Sequence, residues 1–127
     1  MLMVDEIVEL EPGKRAVGTK RIGVGESCLP GERDGQAVPP VLLLESMAQV
    51  GAVAVLSLPA NRGKITLLTG IENARFYMEV FPGEEIRVEA EIVRMKGRFG
   101  RRRCRAVVGG NMVAEAEILF ALANING

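Results

Sequence analysis

"PPVLLLESMAQVGAVAVLSL", Pro39 to Leu58, is the stretch on which the fold turns. Two prolines open it where a helix tolerates them, because first-turn N–H groups have no partner inside the helix. No further proline interrupts it before Pro59, so the pattern predicts one helix from about Pro40 to Leu58. Apolar residues fall on nearly every side, which predicts a helix buried in a core rather than half-exposed. The apolar stretch is shorter than the roughly 20 residues of a membrane span and is broken by Glu45. Glu45 and Gln49 are four residues apart, so they share a face and can reach each other. A buried carboxyl is costly unless paired or protonated. Held beside an amide, it suits general acid or base work. A carboxylate turned to solvent, or one tying down a neighbouring loop, would explain Glu45 without any chemistry.

Outside this helix the chain reads as strands. Val4 to Leu10 alternates, the EPGK turn at 11–14 follows, and Arg15 to Val24 is a second strand. Residues 25–38, GESCLPGERDGQAV, carry the Gly and Pro content of an irregular loop. Beyond the break at PANRGK come Ile65 to Phe76, a turn at 81–85, and Ile86 to Arg94 with its apolar residues two apart. Phe99 to Val108 puts Arg101, Arg103 and Arg105 on one face and Cys104, Ala106 and Val108 on the other. The GGN turn at 109–111 leads into Met112 to Leu122. Two strands, one helix and four strands imply an α+β domain in which an antiparallel sheet wraps one helix. With no repeat or linker, residues 1–127 read as a single domain.

Composition removes several function classes. Sixteen basic residues balance sixteen acidic ones, and one Tyr with four Phe provides no aromatic interleaving, so nucleic acid is not an expected partner. The opening MLMVDEIVELEPGK lacks the cationic segment of a secretory signal, which makes a cytoplasmic location the default. There is no histidine, which excludes an imidazole base or a histidine metal site within the chain. Cys28 and Cys104 have no CxxC spacing and read as plain thiols. No metal is expected.

Several segments resemble the β-hydroxyacyl-acyl-carrier-protein dehydratases of the FabZ type. "PPVLLLESMAQVGAV" is similar to that family's PGVLxxEAMAQ helix, which carries its catalytic acid. "LLTGIENARF" resembles the strand bordering its substrate tunnel. "VDEIVELEPGKRAVGTK", "PGEEIRVEAEIV" and "VAEAEILFAL" are similar to its other strands. The resemblance implies a hotdog fold, a curved antiparallel sheet around one long central helix, assembled as a side-by-side dimer. It implies fatty-acid or polyketide-type metabolism, with an acyl thioester carried on the phosphopantetheine of acyl carrier protein or coenzyme A and no separate cofactor. Glu45 then stands at the catalytic carboxylate and Gln49 at the amide that orients it. Val41, Leu44, Met47, Ala48, Gly70 and Ile71 are expected to line the acyl site.

The chain departs from the family in two places. The family's second catalytic group is a histidine in a GHFPG loop, contributed across the dimer. The corresponding loop here reads PGERDG, which puts Glu32 at that position; a second alignment puts Cys28 there. A loop glutamate is no equivalent of imidazole near neutral pH, and a solvated loop charge explains it as well. At the helix start the family has a glycine whose N–H polarises the thioester carbonyl. Pro40 has none, so Val41 must serve. Three readings follow: a dehydratase with altered machinery, a thioesterase working through Glu45 alone, or an acyl-binding subunit completed by a histidine-bearing paralogue. The dimer could be homomeric or heteromeric, or part of a larger oligomer. Five arginines in RFGRRRCR at 98–105, Arg101, Arg102 and Arg103 foremost, suggest docking of an acidic carrier; a charged strand face that resists aggregation explains them equally.

Overall fold

The computed structural model describes residues 4–22 and 37–125. Cys28 and Glu32 lie outside them. Strands β1 (Glu6–Glu11) and β2 (Arg15–Arg21) precede helix α1 (Pro40–Leu56), and β3 (Lys64–Phe76), β4 (Glu85–Lys96), β5 (Phe99–Val108) and β6 (Asn111–Asn124) follow it. They form one antiparallel six-stranded sheet in the order β1-β2-β4-β5-β6-β3. Among the described residues the strands and helix match the sequence reading, with α1 ending two residues earlier than expected; all but the last two residues of the loop expected at 25–38 lie outside them.

The sheet is built to let a helix sit close. Its pairing lines up Ala16, Ala90, Cys104 and Ala116 in one row across β2, β4, β5 and β6. A second row is Gly18, Val88, Ala106 and Ala114. These small side chains make a floor on which Met47, Val50 and Ala54 of α1 are fully buried. A Cβ at Gly18 would stand 2.9 Å from Val50, so the closeness depends on glycine there. Burying each of Met47, Ile86 and Ile118 contributes about 1.5–3 kcal/mol.

Pro39 caps the N-terminus of α1 with extended backbone and Pro40 occupies the first helical position. At the other end the β1–β2 turn folds over the helix, and the Gly13 N–H donates to the Ala54 carbonyl at 2.7 Å. The Asn61 amide donates to Val55 at 2.8 Å, and Pro59 stops further winding.

All-round burial of α1 is corrected by the structure. One face (Leu43, Met47, Val50, Gly51, Ala54, Val55) packs on the sheet, whereas Val41 and Glu45 are exposed and Leu44, Ala48 and Ala52 half-buried. A single curved sheet covers only one side of a helix. The other apolar side is left over.

Candidate active site

The leftover face of α1 carries most of the residues singled out in the sequence. Glu45 is exposed there and meets no hydrogen-bond or ion-pair partner among the described residues. The burial expected for Glu45 is therefore not supplied by the described residues. Gln49, one turn on, borders a recess beside Val4–Ile7 of the β1 edge. No hydrogen bond joins it to Glu45 among the described residues. Val41 is 47% exposed and holds the first N–H of the helix, because Pro40 has none. The Leu42 N–H is already donated to the Pro39 carbonyl at 3.0 Å.

Met47 corrects an expectation. It is fully buried against the sheet, with the Cys104 thiol 3.9 Å from its carbonyl oxygen, and cannot line an acyl site on the opposite face. At 100° per residue, position 47 falls with Leu43, Val50 and Ala54, while 41, 44, 45, 48 and 52 turn outward. Leu44 and Ala48 stay available.

Gly70 and Ile71 lie on β3, the sheet's outer edge. This 13-residue strand pairs only with β6 among the described residues and exposes Ile65, Leu67, Leu68 and Ile71 by 40–56%. A long apolar edge with unpaired backbone groups is a template for another strand. Past its end, Phe76 to Phe81 and the start of α1 enclose a cleft of about 580 Å³, with Val38, Pro39, Pro40 and Leu43 on the helix side. Sequence reasoning passed over this aromatic run, FYMEVF; its three aromatics within six residues were the available signal.

The arginine run divides between the two sides of the sheet. Arg102 shares the inner face with Cys104 and is 2% exposed, so its assignment to carrier docking is corrected. Its guanidinium lies 4.4 Å from the Phe120 ring centroid and against α1 at Gly51, where a Cβ would come within 2.5 Å of Nε. Nε and Nη1 have no hydrogen-bond partner among the described residues. Burial pulls this arginine below its ordinary pKa and pushes the neighbouring Cys104 thiol up to about 12. On the outer face the arginines are interleaved with acids. Arg101 bonds Glu117 and lies 3.5 Å from Glu72, Arg105 is 3.1 Å from Glu89, and Arg103 pairs in register with Glu91 and Glu117. This arrangement favours a charge-balanced strand face over a positive docking patch.

The Arg101 hydrogen bond holds the Glu117 carboxyl below the usual glutamate range. A carboxylate held low adds stability above its unfolded pKa and loses it as pH falls through the folded one. In Arg101→Gln, carboxyl-carbon NMR should show Glu117 titrating at higher pH than in the wild type. An unmoved titration would assign the lowering to another neighbour.

Among the described residues no cluster of three or more His, Cys, Asp or Glu side chains could hold a metal, and no helix is long and apolar enough to cross a membrane.

Two kinds of similarity bear on this geometry. Solved structures share the fold at low identity. An uncharacterized protein from Pyrococcus horikoshii has a TM-score of 0.76 at 15% identity, covering 96% of this chain and 85% of its own. A thioesterase superfamily member from Thermus thermophilus has a TM-score of 0.76 at 17% identity, covering 92% and 86%. These establish the hotdog architecture. Sequence similarity goes further: residues 1–117 match the FabA-like domain. The chain is 48% identical over 122 residues to the 3-hydroxyacyl-acyl-carrier-protein dehydratase FabZ of Desulforamulus reducens, covering 95% of this chain and 86% of that one. It is 47% identical over 124 residues to the FabZ of a Geobacillus species, covering 97% and 86%. With near-half identity across an unbroken domain of the same fold, the chain belongs to the FabZ-type dehydratase family.

Proposed function

We propose that the chain forms a dimer that binds 3-hydroxyacyl and 2-enoyl thioesters, carried on acyl carrier protein or coenzyme A, against the uncovered face of α1, with Glu45 as its reacting carboxyl. The observation that carries this reading is the position of Glu45. It stands on an apolar helix face that the chain's own sheet does not cover, with the apolar strand β3 at the sheet's edge, paired on one side by β6 and open on the other among the described residues. A second copy pairing along β3 would enclose that face and exclude water from the carboxyl. Val41, Leu44 and Ala48, with Gly70 and Ile71, are the walls proposed for the acyl chain. The Val41 N–H is the donor proposed for the thioester carbonyl.

Dehydration removes a proton from C2 and expels the C3 hydroxyl as water, so it needs one group to take a proton and one to give it. Glu45 can do one of these. Gln49 does not titrate, and the chain has no imidazole for the other. Glu32 is the residue the sequence alignment offers in that place, and a carboxylate there would repel rather than complement Glu45. We therefore assign the chain slow dehydration by itself. The same absence of histidine favours a second reading, in which a histidine-bearing relative supplies the missing half of the site in a mixed dimer. A thioesterase working through Glu45 alone would need only a water in the same place.

The test joins assembly to binding. Sedimentation should show a dimer, and calorimetry should show an unreactive acyl-pantetheine amide binding to it. Leu68→Lys with Ile71→Lys should give monomers that bind the amide at least about tenfold more weakly. Full binding by such monomers would place the acyl site within one chain and overturn the proposal.

A further inference from the structure

Helix α1 has 17 residues and is about 25 Å long, with a cleft at each end. The cleft at its start has Glu79 as its charged lining residue. The cleft at its far end, about 510 Å³, is floored by Val55, Leu58, Ile92, Met95 and Leu122 and rimmed by Lys64 and Arg98, with no acid in its lining. That volume lies within the range of small-molecule sites, about 300–1,000 Å³.

Six of the fifteen described basic residues have a carboxylate partner, and the two rim cations are among the nine that have none. Arg15, Lys20, Arg21, Arg87, Arg101 and Arg105 all have carboxylate partners. Lys64, although half-buried, and Arg98 have none among the described residues. Arg98, exposed, has its guanidinium carbon 5.0 Å from the Phe99 ring centroid. Three of the last carbonyls of α1 already have hydrogen-bond partners other than these cations. Val53 accepts from Ser57, Ala54 from Gly13 and Val55 from Asn61. A greasy floor under two unpaired cations matches one ligand chemistry.

We propose that this cleft binds single-chain amphiphiles with an anionic head, of the free fatty-acid type, the carboxylate bridging Lys64 and Arg98 and the alkyl chain lying on Val55, Ile92 and Leu122. The site is separate from Glu45, since Val55 is ten residues further along α1, about 15 Å by helical rise. It does not depend on the acyl-thioester reading.

The probes are decanoate, decyltrimethylammonium and decyl maltoside, each below its micelle concentration, titrated into the ¹⁵N-labelled full chain. Decanoate should shift the Gly13, Gly97 and Asn124 amides, and Lys64→Gln with Arg98→Gln should weaken that binding by about tenfold or more. Met95→Glu, which puts a carboxylate on the exposed floor of the cleft, should abolish it. The cationic and neutral amphiphiles should leave these amides in place. Equal binding by all three probes would overturn the proposal, as would full decanoate affinity in the Gln double variant. Decanoate shifts confined to Val41–Ala48 and Gly70–Ile71 would place the carboxylate in the thioester site instead, and would also overturn it.

Discussion

Assayed alone on a 3-hydroxyacyl pantetheine thioester, the protein should approach its dehydration equilibrium about 10²–10⁴-fold more slowly than a histidine-containing FabZ under the same conditions, the range a single positioned acid or base contributes. The chain contains no histidine, and no described side chain accompanies Glu45 as a second titrating group. Pro40 adds to the deficit by removing one N–H from the helix start, leaving Val41 to polarise the carbonyl. Adding a histidine-bearing FabZ with its own glutamate disabled should raise the rate well above the sum of the two proteins, if mixed dimers assemble a complete site. Turnover at about 1–10³ s⁻¹ by the protein alone would show that the second proton transfer is served by a residue of this chain.

Replacing Arg102 with Met should stabilise the fold by about 1–4 kcal/mol, or roughly 4 °C in Tm for each kcal/mol by calorimetry. Two of the Arg102 guanidinium nitrogens are buried without a hydrogen-bond partner among the described residues, and the face of Phe120 lies against the group. A buried charge without a counter-charge opposes folding, and an apolar side chain of similar length removes that cost while keeping the contacts. The same arginine explains the glycine in the middle of α1. Gly51→Ala improves helix propensity by about 1 kcal/mol but drives a methyl into Arg102, an overpacking of about 1–3 kcal/mol, so alone it should destabilise. Beside Arg102→Val the clash is gone and the propensity gain should show. A Met variant less stable than wild type would mean that the guanidinium meets an anion in the assembled protein.

Much of the fold was legible because the two periodicities are strong. Period-two alternation identified β4, β5 and β6, and the proline-bounded apolar run identified α1. Parity alone could have corrected two residues. Arg102 is two positions from Cys104 and must share its inward face, and Met47 is one helical step from Leu43 and Val50. Both were assigned by what their side chains do rather than by where the period puts them. The exposure of Glu45 was a different matter. A helix apolar all round reads as buried, but whether its second side is covered by the same chain or by another copy depends on assembly, which no periodicity encodes. The β3 edge shows why: Ile65, Leu67, Leu68 and Ile71 are all apolar and yet stand exposed in the single chain.

The central claim is that Glu45 is the group through which this chain acts on its thioester. It is tested most directly by the initial rate of hydration of a 2-enoyl pantetheine thioester with the wild type and with Glu45→Gln, at protein concentrations high enough to measure slow turnover. The account predicts a low but measurable wild-type rate and a Gln variant at least about 10²-fold lower, with thermal stability unchanged because Glu45 is exposed and holds no hydrogen bond or ion pair among the described residues. Equal rates in the two proteins would contradict it and move the chemistry off the helix.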